Sequence, residues 1–501
     1  MRKWLPLVAI CLGAFMLLID VSIVNVALPK MSADLHSSFT SLQWVVDMYA
    51  LVLASLLLAV GSMGDRLGHR RMYVGGLVLF ALASLACGLA PGVATLITAR
   101  AVQGLGAAAM FTSTTSLLNA TYHGRDRGTA FGIWGAVNGS AAAVGPILGG
   151  LLTEQFGWRS IFLVNLPVAV LGVFMALRVL KESKNPDAAR LDYAGALAFT
   201  VFAAAATYAL IESADKGWGS STVVGLLIGS GVALLVFIVI ELRVKSALLD
   251  LSLFRRPTFV GLMVCALLFP AAAFAHLTYT SIWLQSILGM SPIDAGLAVS
   301  PLALASFVVS AAGGRALHRL APQLAIGGGL LCVGGGTLLL MLVSTGSTWT
   351  ALVPGLLLCG VGVGMVSPVL TSAVLGSVPY QRAGMASGAL NTFRQLGYAL
   401  GIAVLGTVFA DRLRSVGGAQ AAGVVSGGGH GTLSAAGQQV VRHAAALSLD
   451  RIYLFAGCTA LVGGCLVLAL VRRSPAPDWA QAAAGGAGDQ APTGEPAAAG
   501  H

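Results

Sequence analysis

Charge is what this sequence has least of. Asp, Glu, Lys and Arg make up 10% of its 501 residues, where a soluble domain carries about 25%, and 57% of the residues are hydrophobic. With a mean hydropathy of +0.86, such a chain cannot clothe itself for water. It also lacks a Gly-Lys-Ser/Thr phosphate loop and any His/Glu pattern suited to a metal. Nucleotide hydrolysis and metal catalysis therefore have no residues to run on, and neither a cofactor nor a metal site is expected. The seven cysteines all fall inside apolar runs without regular spacing. They imply no disulfide framework and read as small core residues.

What the chain has instead is apolar stretches of about 20 residues along nearly its whole length. In lipid, only internally bonded helices or closed barrels satisfy the backbone, and barrel strands alternate over about 10 residues. An all-α integral membrane protein follows. Fourteen spans are expected at roughly 5–28, 43–62, 72–90, 93–118, 128–152, 160–180, 191–211, 222–242, 258–284, 292–312, 322–343, 351–375, 384–410 and 451–471. The basic start "MRKW" precedes no small-residue cleavage site, so the first stretch reads as a retained helix. Both termini then share one side, where twenty of the 29 Lys and Arg lie against seven opposite. The positive-inside rule makes that side cytoplasmic and accounts for the net charge of +10 without nucleic acid as a partner.

Three pairs of segments recur in order. "GDRLG" at 64–68 matches "LHRLA" at 317–321, the stretch from Gly104 matches that from Gly360, and "RGTAFG" at Arg127 matches "RAGMASG" at Arg382. Offsets of 253, 256 and 255 argue for two pseudo-symmetric six-helix lobes. These are residues 1–180 and 258–471, with a polar linker and two inserted helices in 181–257. Residues 411–450 read as a Gly/Ala/Ser-rich external loop and 472–501 as a disordered cytoplasmic tail. Parallel halves of this kind are a transporter architecture, with substrate handled near the midplane between them.

The stretch "GSMGDRLGHRR", residues 61–71, closes the second span. Gly61 and Gly68 allow a tight, close-packed turn, and Asp65 among Arg66, Arg70 and Arg71 is placed to exchange partners between conformations. Topology determinants with a helix-end cap would use the same residues. The spacing resembles the loop 2–3 signature of the major facilitator superfamily: Gly, three residues, Asp-Arg, one residue, Gly, then basic residues. Arg100, Gln103 and Gly104 are similar to that family's helix 4 pattern, and Gly145, Pro146, Gly149 and Gly150 to its antiporter signature in helix 5. "LLIDVSIVNVALP", "QWVVDMYAL", "GWRSIFLVNLP", "RLDYAGAL" and "NTFRQLGYALG" look like the fourteen-helix drug:proton antiporter branch. The resemblance runs from about residue 17 to 471. His318 stands opposite Asp65 in the second half, and Met63 stands where family members often have Leu; both are departures.

The resemblance implies a proton-coupled antiporter in a bacterial plasma membrane, exporting hydrophobic drugs or antibiotics, cationic ones included, by alternating access. Exporting or importing an endogenous metabolite on the same fold is the alternative. Its partners would be protons, a small hydrophobic substrate and the bilayer, with a proton gradient in place of a cofactor and a monomer as the working unit.

Asp20 is a carboxylate inside an apolar run, and such a group is retained only where it faces protein or water. At 1.5 Å per residue, Asp20 and Arg100 lie at matching depth, roughly 10–12 Å below the outer boundary. If helices 1 and 4 adjoin, as the family fold implies, the two form either a proton-coupling site facing the space between the lobes or a fixed structural pair. Asp47 is shallow, and serves either as a cation-selecting acid or as an interfacial hydrogen-bonding group. Arg394 lies near mid-membrane with Asn391 one turn earlier on the same side. It can bind substrate, bond to carbonyls or position Asp20. In helix 5, Gly145-Pro146 invites a kink that the resemblance assigns to sealing, although a packing interface would use the same glycines. His276 titrates in the useful range, but a single His on an apolar helix is also an ordinary packing residue.

Overall fold

The computed structural model describes residues 2–35, 39–184, 192–244, 248–317, 320–343, 346–379, 382–425 and 435–471, and every regular element among them is helical. In chain order these are α1 (Leu5–Leu35), α2 (Phe39–Leu67), α3 (His69–Gly88), α4 (Val93–Thr121), α5 (Gly124–Phe156), α6 (Ser160–Leu163), α7 (Asn165–Val179), α8 (Tyr193–Lys216) and α9 (Ser221–Arg243). After a short 3-10 turn at Leu251–Arg255 come α10 (Pro257–Ala273), α11 (Ala275–Ile282), α12 (Pro292–Leu317), α13 (Pro322–Leu339), α14 (Val353–Gly376), α15 (Ala383–Val425) and α16 (Ala435–Leu470). Thirteen stretches among the described residues are long and apolar enough to cross a membrane. The fourteenth expected span is α5, 33 residues rich in Gly and Ala with Asp126 in its first turn.

Local chemistry sets the boundaries. Asp192 accepts a hydrogen bond from the Gly195 amide at 2.8 Å and Ser220 one from the Val223 amide at 3.3 Å, capping α8 and α9. Prolines open α10, α13 and α14, where the missing N–H leaves no bond unmade. The ninth span is broken: Pro270 interrupts the ladder, and Phe274, at φ −126°, ends α10 before α11 resumes.

The two halves pack by the same rule. In the first, α1 lies on α5 and α7, α4 on α2 and α3, and α3 on α7; in the second, α10 lies on α15 and α16, α14 on α12 and α13, and α13 on α16. The halves meet along two seams, α2 with α15 and α5 with α12, which exchange under the internal repeat. The inserted α8 and α9 pair with each other, and α8 leans on α2 and α15. Ile228 and Leu235 of α9 are 63% and 64% exposed, as a lipid-facing surface requires.

The segment 411–450, expected as an external loop, is largely helical: α15 runs to Val425 and α16 begins at Ala435. Its alanines are strong helix formers, and residues 426–434, between the two helices, lie outside the described residues. His318 and the tail 472–501 lie outside the described residues.

Candidate functional site

Asp20 and Arg100 meet. α1 and α4 cross in contact, and Arg100 Nη1 donates to Asp20 Oδ2 at 2.5 Å, with both side chains 0% exposed. The other carboxylate oxygen, Oδ1, accepts from Gln103 Nε2 and from Asn165 Nδ2, each at 3.1 Å. Ser84 of α3 takes second hydrogen bonds from Gln103 (3.3 Å) and Asn165 (3.0 Å) and passes its own proton to the Phe162 carbonyl at 2.9 Å. Arg100 is held further by the Gln103 side-chain oxygen at 2.8 Å and the Val45 carbonyl at 3.0 Å, and its guanidinium lies 4.2 Å from the centre of the Tyr49 ring. Two helices, α4 and α7, thus bond the carboxylate of α1, and α2, α3 and α6 complete the shell around them. An ion in such a place survives only if opposed in charge and hydrogen-bonded, and both conditions hold.

Asp20 does not face the space between the lobes. Among the described residues its partners belong to the N-terminal half, because α4 and α7 flank α1 there. Sequence reasoning had grouped Gln103 with Arg100 only as a pattern, and it passed over Asn165 as a ligand of the carboxylate and Ser84 as the acceptor that orients both amides. The available signal was a buried amide at membrane depth in "FLVNLP".

The glycines of α5 divide between two neighbours. A Cβ on Gly145 would strike the Ser22 hydroxyl, and one on Gly149 would lie 2.9 Å from Ile23, so these two hold α5 against the stretch of α1 just after Asp20. Gly150 faces Ile293 of α12 at 2.8 Å, across the seam between halves. Pro146 lies within α5, but its side chain falls outside those described.

Asp65 crosses the other seam. Its two oxygens accept from the amides of Gly384 (2.7 Å) and Met385 (2.9 Å), the opening turn of α15, and His69 Nε2 lies 3.0 Å from Oδ1. A carboxylate on a helix N-terminus is favoured by both the free amides and the helix dipole. Glycine makes the approach possible: a Cβ on Gly61 would overlap the Gly384 carbonyl, and one on Gly388 would lie 2.7 Å from that of Leu57. Gly68 adopts φ +105°, a conformation that L residues rarely take, and turns the chain so that the Glu182 carboxylate meets the Arg70 amide (3.0 Å) and Arg71 (3.7 Å). Arg66 is exposed. Arg127 of α5 adds a bond to the Ser372 carbonyl of α14 at 2.9 Å. On the side that bears the termini, the two halves are therefore closed on each other.

Arg394 is not on Asp20. Its Nη2 donates to the Thr371 hydroxyl at 2.9 Å and reaches the Ser367 carbonyl at 3.4 Å, while Nε is buried without a partner. Asn391 is fully buried, donates weakly to Ser387 at 3.4 Å, and leaves Oδ1 without a partner. Ser387 in turn meets Thr115 of α4 at 2.5 Å, which joins the halves. Asp47 sits half-buried on α2, between Trp44, which packs on Tyr208 of α8, and Tyr49 beneath Arg100. His276 is fully buried with its ring edge-on to Tyr453 at 5.7 Å. Among the described residues no group of side chains is arranged to hold a metal.

Residues 10–402 match the Major Facilitator Superfamily. The chain is 39% identical to the multidrug resistance protein Stp of Mycobacterium tuberculosis over 81% of its own length and 76% of that protein's. It is 34% identical to the methylenomycin A resistance protein of Streptomyces coelicolor (80% and 84%), and 31% identical to the tetracenomycin C resistance and export protein of Streptomyces glaucescens (95% and 93%). The crystal structure of the human organic anion transporter MFSD10 (TETRAN) superposes with a TM-score of 0.61 at 15% identity, covering 93% of this chain and 99% of that one, which is a likeness of fold. With the paired lobes and the family match together, the chain belongs to the Major Facilitator Superfamily and is a membrane transporter, not an enzyme, akin to drug and antibiotic efflux proteins.

Proposed function

We propose that this protein is a proton-coupled antiporter that exports hydrophobic small molecules from the cytoplasm by alternating access. The observation that carries the proposal is the Asp20 cluster: one buried carboxylate, one opposed guanidinium at 2.5 Å and two amide donors, drawn from helices that must all stay in register for it to exist. Protonating Asp20 removes the charge that Arg100 and both amides serve, so the cluster relaxes and α1 is released from α4 and α7. Because Gly145 and Gly149 lock α5 to the same part of α1, a shift there travels to the α5–α12 seam. The Asp65 contact on α15 would latch the cytoplasmic side and open in the alternate state. A proton descending 100 mV yields about 2.3 kcal/mol, sufficient for more than tenfold accumulation of a neutral substrate. The relatives' names, resistance to methylenomycin and export of tetracenomycin among them, support an antibiotic-sized cargo.

The test is Asp20→Asn in sealed vesicles. The variant should insert and bind substrate yet lose uptake or efflux driven by an imposed acid gradient. Gradient-driven transport equal to wild type between pH 6 and 8 would remove Asp20 from coupling.

A further inference from the structure

We infer that Arg394 and Asn391 form a recognition site for an anionic oxygen, and that the preferred cargo is a hydrophobic aromatic acid, not a cation. This rests on the transport function proposed above and names the class of substrate. Arg394 is a permanent cation in the middle of a spanning helix, and among the described residues it is paired with no carboxylate: its acceptors are one hydroxyl and one distant carbonyl, both neutral. A guanidinium carries five donors, and here Nε is buried and unused. One turn away, Asn391 presents an unused acceptor, Oδ1, in a fully buried side chain. An orphaned donor and an orphaned acceptor on the same face of α15 are the complement of a ligand that offers a carboxylate or phenolate oxygen beside a hydroxyl. Tyr398, four residues beyond Arg394, extends that face with an aromatic ring.

The position suits a cargo site. α15 is packed by α2, α4, α8, α10, α11, α14 and α16, yet Arg394 keeps part of its surface accessible. Ser387, on the same face, touches α4 of the other half, which places this stretch of α15 where rocking of the halves would cover and uncover it. A cationic cargo would meet uncompensated like charge here, whereas an anion would provide the counter-charge that the protein withholds.

The experiment is equilibrium binding to the purified full chain of four fluorescent compounds on one scaffold: 3-hydroxy-2-naphthoate, its methyl ester, its 3-deoxy analogue 2-naphthoate and 2-naphthylmethylamine. Wild type should prefer the acid to the amine by at least tenfold. Arg394→Gln should weaken the acid tenfold or more while leaving the ester within about twofold, Arg394→Lys should restore part of the loss, and Asn391→Ala should weaken the acid more than a 3-deoxy analogue. Equal affinity of wild type for acid and amine overturns the inference. So does equal loss of acid and ester in Arg394→Gln at unchanged thermal stability. Since binding needs no gradient, a wild type that binds the acid but moves nothing under an acid gradient would sink the antiport reading and leave the site standing.

Discussion

Arg100 and Arg394 each lie well inside a spanning helix of this transporter, and its two halves treat them in opposite ways. Arg100, in the first half, is fully buried, opposed by Asp20 at 2.5 Å and laid over the Tyr49 ring. Arg394, in the second, bonds among the described residues to neutral oxygens alone and keeps a partly accessible surface. The first half has closed its charge and the second has left one open. Both residues sit in lobes of similar helix packing, so the difference lies in the side chains placed around each guanidinium and not in the architecture. On the reading proposed here, the closed pair responds to a proton and the open one to cargo, and the two events meet where α4 and α15 touch.

The largest effect expected from breaking this contrast is on folding. Arg100→Met strands a buried carboxylate and should lower stability by about 3–5 kcal/mol, with most of that recovered when Asp20→Asn is added. Arg394→Met, which strands nothing, should stay within about 1 kcal/mol of wild type. Thermal unfolding in one detergent compares all three. Equal losses at the two arginines would show that both charges are structural.

A smaller effect separates the gate from both. Gly61→Val puts side-chain atoms onto the Gly384 carbonyl and should keep α2 and α15 apart. A Ser387→Cys probe, buried at the seam in wild type, should then react with maleimide at least tenfold faster. Asp65→Asn keeps the geometry but loses the charge on the helix N-terminus, worth about 1 kcal/mol, hence about a fivefold change. Unchanged labelling in Gly61→Val would mean that this seam does not close the pathway.

Much of this was legible in the sequence because membrane helices are written in long apolar runs and because charge inside them is rare enough to single out. Asp20, Arg100 and Arg394 stood out for that reason; depth counting from helix ends set the first two at one level, and the family resemblance supplied the adjacency of their helices. What could not be read was azimuth: nothing in the linear order places Asn165 on the carboxylate or Ser84 behind the two amides, since each lies on a different helix and the angle each presents depends on packing between neighbours. The same ignorance placed Asp20 in the space between the halves when its partners lie within one. The loop expected at 411–450 failed for another reason, since Gly and Ala compositions are shared by turns and by tightly packed helices.

The smallest expected effect tests why distance alone is a poor guide. Arg382, one residue before α15, meets Asp250 at 2.6 Å, nearly the separation of the buried pair, but the two side chains are 54% and 31% exposed. Burial alone would raise the Asp250 carboxyl, but hydrogen bonds from the Ser252 hydroxyl and amide, together with Arg382, outweigh it and hold the group below the usual carboxylate range. A depressed carboxyl contributes stability above its unfolded pKa and loses it as pH falls through the folded value. Asp250→Ala should therefore cost well under about 1 kcal/mol, by an amount that is flat between about pH 5 and 8, shrinks only in acid, and falls with added salt. Unfolding midpoints of wild type and variant across that range make the measurement. A cost approaching that of Arg100→Met would mean that water around this pair screens far less than its exposure implies. A small one would leave burial, and not the near-identical N–O distance, as the property that separates the two pairs.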